Sequence, residues 1–377
     1  MSLKNQQLHT EFGDLALIRR PKRERETLQP WDAADEYILH YLSENRPTTG
    51  SRILIVNDSF GALSTALAEY PCTLWTDSAI SSLCAEENTA LNQRAKPHII
   101  PATAIPGLDY DYVIYKQPKS RSLLQYQLQH LRPICHNKAQ FIGAALARHI
   151  DQHSVAVFAK SIGTARPSLA RKKARLIMLQ SVNENEPIKS DSKHLQLADL
   201  DLQLENRANV FSRDKLDQGS RLLLSALPSL VAPGHIADLG CGNGLLGISA
   251  ARLWPAAKLH FFDDSFLAID SAKANLLSNA PEVGNKATFS ISDCLHNYEG
   301  ETFDLIVCNP PFHQDHHVGD HIARQMFRDS RRHLSENGQL CVVGNRHMGY
   351  HILLKKLFGN CQTITSDSKF VVLLARL

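Results

Sequence analysis

Apolar residues along the chain fall in short β-rich runs separated by stretches of helical spacing, the alternation expected of a mostly parallel sheet wrapped by helices. In the C-terminal half the strand-like runs are HIADLG (235–240), KLHFFD (258–263), ATFSISD (287–293), FDLIVCN (303–309), QLCVVGN (339–345) and KFVVLLARL (369–377). Between them GLLGISAARLW, SFLAIDSAKANLLSN and HIARQMFRDSRRHL place apolar residues on one helical face. The N-terminal half repeats the grammar. Strand RILIVND (52–58) leads to helix GALSTALAEY, strand CTLWTD (72–77) to helix AISSLCAEENTALNQ, and strand DYVIYKQP (111–118) follows. The fold class predicted is α/β, doubly wound, twice over.

Two stretches align across the halves: TLWTDSAISSLCAEENTALNQ with HFFDDSFLAIDSAKANLLSNA, and YDYVIYKQPK with FDLIVCNPPF. From Asn57 to Lys116 is 59 residues and from Asp238 to Asn309 is 71, so the second copy is longer by about one loop. That self-similarity reads as an internal duplication. The polar, Pro-containing stretch QSVNENEPIKSDSKHLQ (180–196) reads as the linker, with domains expected at 1–185 and 195–377. After it, LADLDLQLENRANVFSR alternates like a hairpin leading into the second domain.

Composition adds limits. At 377 residues, 43% hydrophobic and 21% charged, the chain is an ordinary globular protein, and a formal charge of +3 permits a polyanionic partner without demanding one. The eight cysteines contain no C-x-x-C pair and read as reduced, structural thiols. MSLKNQQLHTEFGDL lacks a signal-peptide core and no run of 18 apolar residues occurs, so a soluble, cytoplasmic protein is expected.

Candidate chemistry concentrates in the second half. DLGCGNG (238–244) joins a strand to a helix, where glycines let the backbone turn and approach a nucleotide-like ligand. GNGLLG (242–247), which overlaps it, also fits a dinucleotide fingerprint. The acids decide against that reading: a carboxylate at Asp238 repels a pyrophosphate but suits the ammonium of a methionine moiety. Asp263 stands 25 residues on, placed for ribose hydroxyls, and Asp293 ends the third strand at the level of an adenine amine. Each alone could also be a helix cap. Together on consecutive strand tips they describe S-adenosyl-L-methionine.

The strand FDLIVC then ends in Asn309-Pro310-Pro311-Phe312. Prolines stiffen the backbone so that the Asn309 side-chain oxygen and the Pro310 carbonyl converge on one planar amine, while Phe312 offers a ring for an extruded base. No general base is required.

DLGCGNG with NPPF resembles the class I methyltransferases of nucleobase amines and glutamine amides. ANVFSRDKLDQGSRLLL, CNPPFHQ and GNRHMGY, with the duplicated first half, are similar over essentially the whole chain to the ribosomal RNA guanine-N2 methyltransferases, the large-subunit enzymes more closely than their small-subunit relatives. The resemblance implies two tandem Rossmann-like methyltransferase domains, S-adenosyl-L-methionine as cofactor, 23S ribosomal RNA as partner and N2-methylguanine as product, by a monomer with no obligate protein partner and no metal. It puts cofactor contacts at Asp238, Gly240, Gly242, Asp263, Asp293 and Asn309, and amine contacts at Asn309, Pro310 and Phe312. Phe211 and Ser212 would close over the cofactor, and His313 would contact RNA.

The first copy departs from the motifs: Val56-Asn57-Asp58-Ser59-Phe60-Gly61 replaces the acid and glycine loop, and Lys116-Gln117-Pro118-Lys119 replaces NPPF. No catalysis is expected there. Lys116 and Lys119, with Arg171, Lys172 and Lys173 inside the basic run Arg166–Arg175 and a second run from Arg19 to Arg25, suggest phosphate contacts by a decayed, RNA-binding domain. Each run reads equally as a solvated face. Three rivals stand beside this reading. One is a 16S rRNA, adenine-N6 or glutamine-amide methyltransferase, one a catalytically silent RNA chaperone or assembly factor, and one a metal site in His313, Asp315, His316, His317, Asp320 and His321.

Overall fold

The computed structural model describes residues 6–22, 26–184, 186–188, 190, 192–311 and 319–377, without the side chains of residues 319 and 320. The chain divides into two compact units, Met1–Asp191 and Ser192–Leu377.

In the second unit seven strands run in the spatial order Ala287–Ile291, Lys258–Asp263, His235–Leu239, Phe303–Cys308, Leu334–Asn345, Phe370–Arg376, Gln362–Ser366. The first five are parallel; Phe370–Arg376 is antiparallel to both its neighbours. Helices Leu245–Leu253, Phe266–Asn279 and Gly319–His333 connect the parallel strands; Ile236, Leu305, Phe261 and Val307 are fully buried on one side of the sheet against the first two, and Ala237, Ile306 and Cys308 on the other against the third. Strand order reverses at His235–Leu239. The crevice beyond the carboxyl ends of this strand and its neighbours is where such sheets bind ligands.

The first unit has the same order: His98–Pro101, Cys72–Thr76, Ile53–Val56, Tyr112–Lys116, Gln140–Leu146, Ala174–Leu179, Ala165–Pro167. Ala174–Leu179 is again the antiparallel strand. Register gives equivalences. Val56 pairs with Trp75 and Tyr115, as Leu239 pairs with Phe262 and Cys308. Both units are thus Rossmann-like, and the duplication read in the sequence extends to strand order.

Each unit also carries a two-stranded hairpin ahead of its sheet: Gln6–Thr10 with Gly13–Leu17, and Lys193–Leu197 with Leu202–Asn206. The second begins inside the stretch expected to be linker, because Lys193, Gln196 and His194 hide an alternation that buries only Leu197 and half-buries Leu195. The predicted parallel strands and their helices form. The C-terminal helix Tyr350–Phe358 and the edge strand Gln362–Ser366 were not expected. All eight cysteines are unpaired, and Trp31 and Trp75 are buried in the first unit.

Candidate active site

Past Leu239 the chain turns through Gly240, Gly242 and Gly244 at φ of +73°, +56° and +82°, a region that costs glycine nothing and other residues a good deal. The Gly240 and Cys241 N–H groups both donate to the Phe262 carbonyl, at 2.8 and 3.0 Å, and Gly242 N–H donates to Asp263 Oδ2 at 2.8 Å. The glycines have separate reasons. A Cβ at Gly242 would meet open space, whereas at Gly244 it would lie 3.0 Å from Ala272 Cβ. Gly242 therefore leaves a cradle for a ligand, and Gly244 lets helix pack on helix.

Three acids surround this loop. Asp238 is fully buried; its Oδ2 accepts from Gly247 N–H at 2.8 Å, and its Oδ1 has no partner among the described residues. Burial pushes its carboxyl up to about 7, the Gly247 N–H pulls back, and the charge of Asp263 adds to the rise. Burial raises the Asp263 carboxyl too, against the N–H groups of Ser265 and Gly242. Ser265 N–H reaches Asp263 Oδ1 at 2.9 Å. Asp293, buried beyond Ala287–Ile291, accepts from Gln325 Nε2 at 2.8 Å.

Asn309 follows Cys308 at the end of the strand beside Asp238. Its Nδ2 donates to Ser220 Oγ at 2.8 Å and to Asp217 Oδ2 at 3.3 Å, while its Oδ1 is buried and has no partner among the described residues. A carboxylate only accepts, so Asp217 identifies which end of the amide is nitrogen. Asp217 caps helix Gln218–Ala226 and takes the Ser220 N–H at 2.8 Å. Pro310 is buried and Pro311 exposed. Phe312 and His313, with Asp315, His316 and His317, lie outside the described residues. Phe211 is 58% exposed, and Ser212, at φ +60°, donates to the Lys215 carbonyl. Both lie in the loop between strand Leu202–Asn206 and the helix cap Asp217.

Asp238, Gly240, Gly242 and Asp263 are thus tied into one loop, with Asp293 at the next strand end and Asn309 beside Asp238. Asp217, Ser220 and Gln325 were missed. The first two carry a signal, since Asp217-Gln218-Gly219-Ser220 ahead of an apolar helical run is a cap signature.

The first unit keeps the frame and fills it. Asn57, at φ +64°, stands at the place of Gly240, and its amide donates to the Lys116 carbonyl and to Gln127 Oε1, at 2.9 and 2.8 Å; Gln127 Nε2 returns a bond of 2.7 Å. A Cβ at Gly240 would point at Met326, 3.0 Å away, on the helix equivalent to that of Gln127. Buried Asp58 accepts from Ser64 N–H at 2.7 Å, as Asp238 does from Gly247.

Lys116 corrects an expectation. It is buried, and its ammonium lies 2.7 Å from Asp35 Oδ2 and 3.2 Å from Asp32 Oδ2, so it has no charge to offer a phosphate. The two carboxylates hold the Lys116 ammonium charged against the cost of burial. Lys119 is exposed. Arg171, Lys172 and Lys173 form an exposed tight turn, Lys172 and Lys173 at φ +46° and +72°, closed by Ala174 N–H on the Arg171 carbonyl at 2.9 Å. Lys172 pairs with Glu36 at 2.7 Å. Of the N-terminal run, Arg20 is buried on Glu87 at 2.6 Å.

Comparison with known proteins follows this division. Residues 201–374 match the methyltransferase small domain family and residues 5–183 match the RLMG N-terminal domain family. An Erwinia tasmaniensis protein named ribosomal RNA large subunit methyltransferase G is 41% identical over 377 residues, covering 97% of this chain and 98% of that one. A protein of the same name from Klebsiella pneumoniae is 41% identical over 371 residues, 96% of each chain. Among solved structures, a T. thermophilus 16S rRNA N2 methyltransferase in complex with AdoMet and guanosine aligns with a TM-score of 0.77 at 22% identity, over 99% of this chain and 98% of that one.

Proposed function

From the premise that this chain belongs to the ribosomal RNA large subunit methyltransferase G family, we propose that its second unit methylates the exocyclic N2 amine of one guanine in 23S ribosomal RNA. The observation that carries the reading is Asn309, whose amide nitrogen is committed to Ser220 and Asp217 and whose oxygen is buried with no partner among the described residues. The relatives' shared name favours large-subunit over 16S rRNA. The whole-chain fold likeness to an enzyme solved with guanosine favours guanine over adenine or a glutamine amide.

The cofactor's fit rests on the donor set. Asp238 offers a buried oxygen with no partner among the described residues, Gly242 offers open space beside the backbone, and Asp263 and Asp293 offer carboxylates at successive strand ends. S-adenosyl-L-methionine, when bound, would supply an electrophilic methyl on a sulfonium, with a neutral thioether as the leaving group as the carbon–sulfur bond gives way to the new carbon–nitrogen bond. Asp238 and the backbone of Gly240 and Gly242 hold the methionine end, Asp263 the ribose and Asp293 the adenine amine. An exocyclic amine is flat because its lone pair delocalises into the ring. Asn309 Oδ1 and the Pro310 carbonyl accept its two N–H bonds, which favours the pyramidal form and aims the lone pair at the methyl carbon. After transfer the nitrogen carries a positive charge and loses a proton to solvent. Phe312 stacks on the base; Phe211, Ser212 and His313 border the substrate.

The first unit is proposed to be non-catalytic and to bind RNA backbone. Asn57 and Gln127 occupy its loop, and Arg166, Arg171 and Lys173 stand exposed on one edge hairpin. We further place the enzyme in the cytoplasm as a monomer; no helix among the described residues is long and apolar enough to cross a membrane. Asn309→Ala tests the central step. At saturating cofactor, single-turnover methylation of undermodified 23S rRNA falls by about 10² or more; an unchanged rate removes the mechanism.

A further inference from the structure

We infer that Asp217 and Ser220 are positioning residues for methyl transfer: they fix the rotation of the Asn309 carboxamide so that its oxygen, not its nitrogen, meets the target amine. The inference rests on the role proposed for Asn309 and goes beyond it, since neither residue touches the reacting atoms.

A carboxamide has two nearly isosteric ends, and a half-turn about its last torsion exchanges them. With oxygen forward, Asn309 accepts an N–H of the substrate. With nitrogen forward it presents donors to donors and repels the amine. Nothing in Asn309 itself chooses. The choice is made by Asp217 Oδ2, 3.3 Å from Asn309 Nδ2 and unable to donate, and by Ser220 Oγ at 2.8 Å. Asp217 is in turn fixed by capping helix Gln218–Ala226, where its Oδ2 also takes the Ser220 N–H. The N-cap carboxylate and the third residue's hydroxyl of one helix thus both take the amide N–H groups, and the carboxylate, which cannot donate, admits only that end of the amide.

The first unit repeats this arrangement with other chemistry. Asp32 caps helix Ala33–Glu44, Asp35 is the third residue of its first turn, and both reach the side chain of Lys116, which ends strand Tyr112–Lys116 at the place of Asn309. There the group held is the Lys116 ammonium, which has donors at every face and no acceptor end to present. The same helix start that saturates a cation in the silent unit orients an amide in the other, and this recurrence marks the pair as a site for holding a donor.

The test is a double-mutant cycle on the full chain, read as single-turnover rate on undermodified 23S rRNA, with cofactor affinity by calorimetry and melting temperature as companions. Ser220→Ala is expected to lower the rate about tenfold with KM for RNA and cofactor affinity within about twofold of the parent, and Ser220→Thr, which keeps the hydroxyl, to restore it. Asp217→Ser, which keeps a capping oxygen but withdraws the carboxylate, is expected to act in the same direction. In the Asn309→Ala background, Ser220→Ala is expected to have no further effect, because there is no amide left to orient. Equal rates for Ser220→Ala and the parent, or additive losses in the double variant, overturn the inference. So does a loss of rate that tracks lost cofactor binding or unfolding and that Thr does not rescue. If Asn309→Ala itself leaves the rate unchanged, the role of Asn309 fails; if it alone slows the reaction, only the positioning claim fails.

Discussion

Asp238 is an acid held where water does not reach, with one oxygen on Gly247 N–H and a carboxyl pushed up to about 7 by burial. A cation beside it selects its ionised form. Raising the pH from 6 to 8 takes the group from mostly protonated to mostly ionised, so affinity for S-adenosyl-L-methionine is expected to rise about tenfold across that range and to level off above it. Asp238→Asn flattens the slope in a calorimetric titration; an equal slope in the variant assigns the titration elsewhere. Without ligand the sign reverses. The raised carboxyl contributes stability that is fully present below the ordinary carboxylate range and is lost as pH rises through about 7. At this scale the sequence shows glycines, prolines and acids at strand ends, because those residues report backbone and charge directly. It does not show what they touch: Asn309 meets Asp217 and Ser220 across 92 and 89 residues. A lysine in a polar stretch reads as surface, yet Lys116 is buried, because its two carboxylates lie 84 and 81 residues earlier.

Each hairpin is docked by carboxamides of one helix. Asn275 accepts from Glu205 N–H at 2.7 Å and donates to the carbonyls of Glu205 and Asn243, and Asn279 serves Gln203 in the same way one turn later. In the first unit Asn88 binds Ile18 and Phe60, and Asn92 binds Ala16. These pairs fall opposite one another in the two stretches that align by sequence, so the duplication preserved hydrogen-bond geometry where it lost the glycine loop. Asn275→Ala leaves a backbone N–H and two carbonyls unpaired in a buried seam. It is expected to destabilise the second unit by about 1–3 kcal/mol in denaturant unfolding; a loss within error shows that water replaces the amide. The central strands were legible from dense apolar runs. Gln140–Leu146 is buried but glycine- and alanine-rich, and Gln362–Ser366 is a polar edge strand paired on one side only, so neither carried a strand pattern.

The whole molecule holds two copies of one topology, with an open glycine cradle in one and an Asn57–Gln127 pair in the other. Calorimetry is expected to count one S-adenosyl-L-methionine per chain; two would show that the first unit opens to bind. Duplication was visible in the sequence because strand ends and helix faces align. The closure of the first site was visible only as missing glycines, since the partner that fills the space comes from a helix 70 residues away. The most direct test of the account is mass analysis of nucleosides in 16S and 23S rRNA, each taken from cells lacking the protein and treated with the purified enzyme and cofactor. One new N2-methylguanosine per 23S molecule, absent with Asn309→Ala, is the predicted result. A methyl group on adenine N6, on 16S rRNA alone, or on no nucleoside contradicts it.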